Sequence, residues 1–125
     1  MPWSFQADTP IYTQLVARLQ EQIVSGAYPP GSKLPSVRDL AADAGVNPNT
    51  VQRAFAELER LGLIYTQRTS GKSVPEDAAA IDAARRALAE GQTRQYLAAM
   101  SALGFDRATL ITFLNQMEET KDANS

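Results

Sequence analysis

The stretch GVNPNTVQRAFAELERLG, residues 45–62, decides the fold of this 125-residue chain. Asn47 belongs to the residue types that cap helix N-termini, and Pro48 stands at the first helical position, where the N–H that proline lacks would have no partner. Apolar residues then recur on one side at helical spacing. The stretch therefore predicts a helix from Pro48 to about Leu61, with Gly62 as its C-terminal stop.

The opposite side of this predicted helix is polar, and no acidic residue occurs from Val46 to Ala56. Asparagine and glutamine side chains match adenine edges in the major groove of DNA, and arginine matches guanine. The pattern is typical of a helix that offers Asn49, Gln52 and Arg53 to DNA. Periodicity alone leaves a second interpretation open, that of an ordinary pair of packed helices.

The neighbouring segments favour a winged helix-turn-helix. A short helix is predicted to begin at a capping-box-like start, residues 36–39, and to end at Gly45, one tight turn before Pro48. A strand is predicted over residues 63–66, a hairpin tip over 68–72 and a return strand over 73–74. Two helices joined by a tight turn and followed by a hairpin have this architecture.

Two further predictions complete the secondary structure. A first amphipathic helix has Thr9 as its N-cap, Pro10 at its first position and Gly26 as its stop. After Pro75 the chain is alanine-rich and helical, with a glycine at position 91 that weakens the long helix. A last helix follows Gly104 and is capped by Asp106.

The residues LPSVRDLAADAGVNPNTVQRAFAELERLGLIY, 34–65, resemble the winged helix-turn-helix of GntR-family bacterial transcription regulators. The segments PIY at 10–12 and NPNTVQRA at 47–54, together with the short helical tail, are similar to the YtrA-type subfamily. The resemblance implies a dimeric DNA-binding repressor acting on an inverted-repeat operator in double-stranded DNA. Pro48 and Gln52 stand where the wider family often carries basic residues, and Thr69 and Ser73 also depart from its common wing pattern.

The resemblance and the polar pattern together give a set of expected DNA-binding residues in the second helix, the third helix and the wing. They are Ser36, Arg38, Asn47, Asn49, Thr50, Gln52, Arg53, Arg68, Gly71 and Lys72.

Several of these residues have structural alternatives. Arg38 can pair with Asp39 or Asp43 on a solvated helix, and Arg53 can pair with Glu57 four residues on. Asn47 is expected to act first as a cap. The wing cations can simply keep the hairpin tip soluble, and three aromatic residues are expected in the core rather than as stacking platforms. They are Tyr12, Phe55 and Tyr65.

The tail cannot bury its apolar stripes alone, so its helices must pack on the first helix or on a partner subunit. The resemblance favours the partner and implies a homodimer, and a small effector site at that interface remains an alternative. We therefore predict a mainly α (α+β) fold with a DNA-binding domain over 1–75 and a helical dimerisation tail over 76–125. The expected dimerisation residues are Ile81, Leu88, Tyr96, Met100, Leu103, Leu110, Phe113, Leu114 and Met117.

Composition bounds the function. The chain has no cysteine and no histidine, which removes thiolate chemistry and the commonest general base and metal ligand. Asp39 and Asp43 form a carboxylate pair only in outline, so we expect no enzyme, no catalytic residue, no metal and no cofactor. The start lacks a secretory signal, and no apolar run approaches the ~20 residues of a membrane span, so we expect a cytoplasmic protein without membrane contact.

Charge leaves a competing function open. The net charge is −2 and the sequence pI is about 5.1, which argues against nucleic acid and favours a winged helix that binds proteins. The charge is uneven, however. Seven Lys/Arg and six Asp/Glu precede Glu76, a net charge of +1, whereas five Lys/Arg and eight Asp/Glu follow from Glu76 onward, a net charge of −3.

Overall fold

A computed structural model describes residues 3–68 and 71–117. Its elements are α1 (Ile11–Val24), α2 (Val37–Ala44), α3 (Pro48–Arg60), β1 (Tyr65–Gln67), β2 (Gly71–Ser73), α4 (Ala78–Ala102) and α5 (Arg107–Gln116). Five helices and a two-stranded hairpin confirm the predicted mainly helical winged fold for these residues. Position 69 at the hairpin tip and the chain end from 118 lie outside the described residues.

The chain divides into two compact units, Met1–Arg86 and Ala87–Ser125, with the boundary inside α4. In the first unit, α1 packs on α3 through side chains that are at most 1% exposed, among them Leu15, Leu19 and Phe55. Full burial of such side chains stabilises the unit by about 1.5–3 kcal/mol each. This packing fixes which side of α3 faces solvent.

The turn between α2 and α3 follows from local chemistry. The Ser36 hydroxyl accepts a hydrogen bond from the Asp39 N–H at 3.0 Å, and the Asn47 side chain accepts one from the Asn49 N–H at 2.8 Å. Gly45 has φ +72°, a left-handed conformation that glycine adopts without steric cost, and its N–H donates to the Ala41 carbonyl at 2.9 Å. The predicted caps of both helices and the proline start of α3 are confirmed.

The start of α1 differs from the prediction. Pro10 itself is the N-cap residue, and no side chain caps the helix. Gln14 instead binds the incoming chain, because its Nε2 donates to the carbonyls of Thr9 and Gln6 at 2.8 Å each. Thr9 as the N-cap was therefore wrong by one position.

The wing is shorter than predicted at its first strand. Leu63 and Ile64 are 1% and 2% exposed and lie in the core, so β1 begins only at Tyr65. Tyr65 is 40% exposed, which makes the expectation of a core position wrong, because only the residues before β1 face inward. β1 pairs antiparallel with β2, with Tyr65 opposite Ser73 and Gln67 opposite Gly71. Gly71 has φ +85° and begins the return strand two residues earlier than predicted.

In the first unit, the first turns of α4 pack against the same core. Ile81 is 8% exposed and belongs to the cluster of buried residues, and Ala84 lies against it. The helix runs for 25 residues, and Gly91 does not interrupt it.

The second unit contains the rest of α4 and α5. Asp106 caps α5 as predicted and forms a capping box with Thr109, whose hydrogen bonds lower the pKa of the Asp106 carboxyl. The rings of Phe105 and Phe113 lie 5.2 Å apart, and Leu110 is buried. Over the described ranges no single helix is long and apolar enough to cross a membrane, and α4 and α5 meet that length and composition only when taken together across the bend between them.

Candidate nucleic-acid interface

One side of α3 faces solvent and is polar. Asn49, Gln52 and Arg53 are exposed, whereas Val51 and Ala54 on the opposite side are fully buried. The first turn of α3 contains no acidic residue. Because a helix start carries partial positive charge and free N–H groups, this end of α3 favours an anionic partner.

The capping residues keep hydrogen-bonding capacity for a partner. The Asn47 side chain uses its oxygen as the cap of α3, and an asparagine amide also carries two N–H donors. Ser36 accepts a bond at the start of α2, and a serine hydroxyl still has its proton to donate. Thr50 is half-buried in the first turn of α3. These groups are of the type that binds phosphate oxygens.

Arg38 lies on the exposed surface of α2. It forms no ion pair with any residue that the structure describes, so the alternative pairing with Asp39 or Asp43 is not observed. Asp43 instead accepts a hydrogen bond from Trp3 Nε1 at 3.1 Å. The guanidinium of Arg38 keeps its donors for a partner.

Arg53 also lacks the predicted alternative partner. Glu57 binds Arg60, whose Nε and second terminal nitrogen donate to the two carboxylate oxygens at 3.0 and 2.6 Å. These hydrogen bonds lower the pKa of Glu57 and raise the pKa of Arg60. The guanidinium carbon of Arg53 lies 4.3 Å from the centroid of the Tyr12 ring on α1. Tyr12 is therefore partly buried against the core, as expected, and also carries an arginine on its face.

The wing cation Lys72 is held inside the protein. Its Nζ lies 3.1 Å from Glu59 Oε1 and 2.6 Å from Thr66 Oγ1, and the Thr66 hydroxyl donates to Glu59 Oε2 at 2.9 Å. The hydrogen bonds from Lys72 and Thr66 lower the pKa of Glu59. This three-residue contact joins the end of α3 to both strands of the wing.

Lys33 is a wing residue that sequence reasoning missed. It pairs with Ser73 as an isolated bridge, and a side chain built on Gly71 would approach Lys33 Cε at 4.0 Å. An open groove of about 470 Å³ brings Lys33, Ser36, Gly71 and Lys72 together. Arg68 is exposed at the other end of the wing, on the first strand's side. No local pattern marks Lys33, because its position depends on a pairing forty residues away.

The second unit exposes large apolar side chains. Tyr96, Leu103, Phe113, Leu114 and Met117 are between 40% and 69% exposed. Ile111 is 50% exposed and was absent from the predicted set.

The remaining tail residues from the predicted set are less exposed. Leu88 and Met100 are half-buried. Ile81 and Leu110 are 8% and 4% exposed, so their assignment to a surface between subunits is corrected: these side chains are already buried within their own chain.

Comparisons with known proteins agree with this architecture. The family model described as "Bacterial regulatory proteins, gntR family" matches residues 11–74. The uncharacterised HTH-type transcriptional regulator YhcF of Bacillus subtilis is 34% identical over 115 residues, 92% of this chain and 95% of YhcF. The HTH-type transcriptional repressor YtrA of Bacillus subtilis is 47% identical over 73 residues, 58% of this chain and 56% of YtrA.

Two solved structures extend the likeness to the fold. A GntR family transcriptional regulator from Listeria monocytogenes has 40% identity and a TM-score of 0.84, covering 91% of this chain and all of that chain. The DNA-binding domain of AraR, crystallised in complex with operator ORX1, has 26% identity and a TM-score of 0.54, covering 59% of this chain and 98% of that domain.

Proposed function

Because this chain belongs to the GntR family of bacterial regulatory proteins, with a YtrA-type winged helix-turn-helix, we propose that it represses transcription by binding an inverted-repeat operator as a homodimer. The family consists of transcription regulators, not enzymes. The observation that carries the proposal is the exposed, acid-free side of α3, where Asn49, Gln52 and Arg53 face solvent beside the unpaired Arg38.

The side chains of α2 and α3 divide into two roles in this proposal. Arg38 and Arg53 donate to guanine edges, and Asn49 and Gln52 bind adenine edges, since a major groove about 12 Å wide admits a helix. The remaining groups bind phosphate and fix the register of the protein on the duplex. They are Ser36, Asn47 and Thr50.

The wing contributes phosphate contacts in the same proposal. Arg68 and Lys72 supply charge, and the left-handed backbone at Gly71 allows a close approach to the duplex. Lys33 joins them because it lies beside Gly71. Lys72 reaches phosphate only after leaving Glu59, so its contribution is reduced by the strength of that ion pair.

A second copy of this chain covers the exposed apolar side chains of the second unit in this proposal. Five large apolar residues that are 40–69% exposed lie within a stretch of 22 positions, 96–117, and exposure of this kind marks an interaction surface. A twofold dimer places two recognition helices about 34 Å apart, which matches two half-sites one helical turn apart on DNA. The repressor role rests on the name of the relative YtrA. The proposed site of action is the cytoplasm, where a bacterial chromosome lies.

One observation favours a second function. The net charge of −2 and the sequence pI of about 5.1 suit a winged helix that binds another protein. The two functions differ in their dependence on salt. DNA binding through phosphate contacts weakens linearly with the logarithm of salt concentration, whereas a largely apolar protein contact depends on salt only weakly.

Selection from random double-stranded DNA tests the proposal. The purified full chain should enrich an inverted repeat whose half-sites are about one helical turn apart, and its affinity should fall steeply with salt. Failure to enrich any sequence, with no salt-dependent DNA binding, would favour the protein-binding function. Enrichment of a single half-site by a monomeric protein would contradict the homodimer while preserving sequence recognition.

A further inference from the structure

We propose that Tyr12 is a positioning residue for DNA recognition: its ring holds the Arg53 guanidinium in the orientation in which Arg53 meets a base edge. The guanidinium carbon lies 4.3 Å from the ring centroid, within the distance at which a cation is attracted to an aromatic face. The inference rests on the proposed function and adds a residue of α1, outside the helix-turn-helix itself, to the recognition apparatus.

Tyr12 is suited to hold another side chain because its own ring is fixed. It is the second residue of α1, and it is half-buried against the hydrophobic core. α1 is itself anchored to α3 through Leu15 and Phe55, which are 0% and 1% exposed. A tyrosine has only two side-chain torsions, so a ring packed in this way has little freedom left to lose.

Arg53 needs such a support because no other described group restrains it. Its side chain is exposed, and it forms no ion pair within residues 3–68 and 71–117. The carboxylate four residues on, Glu57, is bound at both oxygens by Arg60. A long exposed arginine loses side-chain entropy when it binds a partner, and a contact formed before binding reduces that loss.

The contact with Tyr12 leaves the recognition chemistry of Arg53 intact. A cation over an aromatic face is attracted through its charge, whereas the five N–H donors of a guanidinium lie in its own plane. Arg53 can therefore stay over the Tyr12 ring while it donates to the two acceptors of a guanine. A carboxylate partner would occupy those same donors, which is why the pairing of Glu57 with Arg60 also favours this role.

A double-mutant cycle tests the inference on the DNA sequence that the wild-type chain selects and on a scrambled version of it. Tyr12→Phe keeps the ring and should leave both affinities within about twofold. Tyr12→Leu removes the aromatic face and should weaken binding to the selected DNA about two- to fivefold, with little effect on the scrambled DNA. In an Arg53→Ala background, Tyr12→Leu should have no further effect.

Three results separate the possible failures. If Tyr12→Leu weakens binding equally in both Arg53 backgrounds, or equally on both DNAs, Tyr12 does not act through Arg53 and the inference is overturned while the proposed function stands. If the wild type selects no sequence, the proposed function fails and this inference fails with it. Circular dichroism and thermal unfolding of each variant establish that it is folded.

A measurement on the wild type covers the case in which Tyr12→Leu, or the more adaptable Tyr12→Met, does not fold. The Nε–H signal of Arg53 in nitrogen-15 NMR spectra should show a ring-current shift in the free protein. The inference expects that shift to persist in the complex with the selected DNA. Its disappearance on binding would show that Arg53 leaves the ring, which would overturn the positioning role.

Discussion

Removal of the charge on Glu59 should strengthen DNA binding. Glu59 Oε1 holds Lys72 Nζ at 3.1 Å, and the Lys72 side chain is 26% exposed, so the best-placed lysine of the wing is partly neutralised in the free protein. In the variant Glu59→Gln, an amide of nearly the same shape can still accept from Thr66 and Lys72. It no longer opposes the movement of Lys72 to a phosphate.

The structure sets the size of this effect. Both partners of the pair reach solvent, at 26% and 39% exposure, and exposed ion pairs contribute only about 0.2–1 kcal/mol. Release of Lys72 should therefore raise DNA affinity by about 1.4- to 5-fold. Because a phosphate contact carries no sequence information, selected and scrambled DNA should gain alike.

Fluorescence anisotropy titrations at several salt concentrations measure this gain. Glu57→Gln is the matched control, since it removes the same charge from the same helix but releases Arg60 instead of Lys72. The combination of Glu59→Gln with Lys72→Ala should lose the gain and make the salt dependence shallower by about 0.9 per lost contact.

An opposite result would refute the reasoning. If Glu59→Gln binds DNA no better than the wild type, or binds it more weakly, the ion pair does not compete with DNA. Glu59 would then serve to hold the wing in place through Lys72 and Thr66.

Three further predictions follow from burial, exposure and charge. The pKa of Glu59 is below its ordinary value of 4.5 because Lys72 donates a hydrogen bond to it, so its stabilisation is present above pH 4.5 and is lost as the pH falls through the lower folded-state pKa; urea unfolding of Glu59→Gln should depend less on pH in that range, and an unchanged dependence would contradict the assignment. Leu114 is 47% exposed, and Leu114→Glu should convert a dimer into monomers in sedimentation experiments and weaken operator binding, whereas a wild type that is already monomeric at micromolar concentration would contradict the proposed role of the tail. Phe55 is 1% exposed, and Phe55→Ala should lower the free energy of unfolding by about 3–5 kcal/mol in urea titrations, whereas a loss below 1 kcal/mol would mean that this core is not closely packed.

Local chemistry was enough to predict the helix-turn-helix. The cap at Asn47, the proline at the start of α3 and the left-handed glycine at position 45 each act over a few residues, so their effects are visible in the sequence. The alternation of buried and exposed residues along α3 follows in the same way from helical periodicity. The side of α3 that faces solvent could therefore be predicted before the structure was known.

The partners of the site residues could not be predicted in this way. Arg53 contacts Tyr12 and Lys72 contacts Glu59 across different elements, and the sequence instead suggested the near neighbour Glu57 for Arg53. Ile81 shows the same limit, because a position on an apolar stripe does not tell whether the stripe packs on its own chain or on another. Contacts between elements distant in sequence depend on how the whole unit packs.

Competitive titration of wild type and Arg53→Ala against the selected DNA and its scrambled version tests the central claim, that the exposed side of α3 recognises bases. The loss of a bidentate contact to guanine should reduce the discrimination between the two DNAs by about 1–3 kcal/mol, while binding to scrambled DNA changes little. Glu57→Ala, which alters the same helix without removing a proposed base contact, should leave the discrimination as in the wild type. An unchanged ratio of the two affinities in Arg53→Ala would contradict the claim.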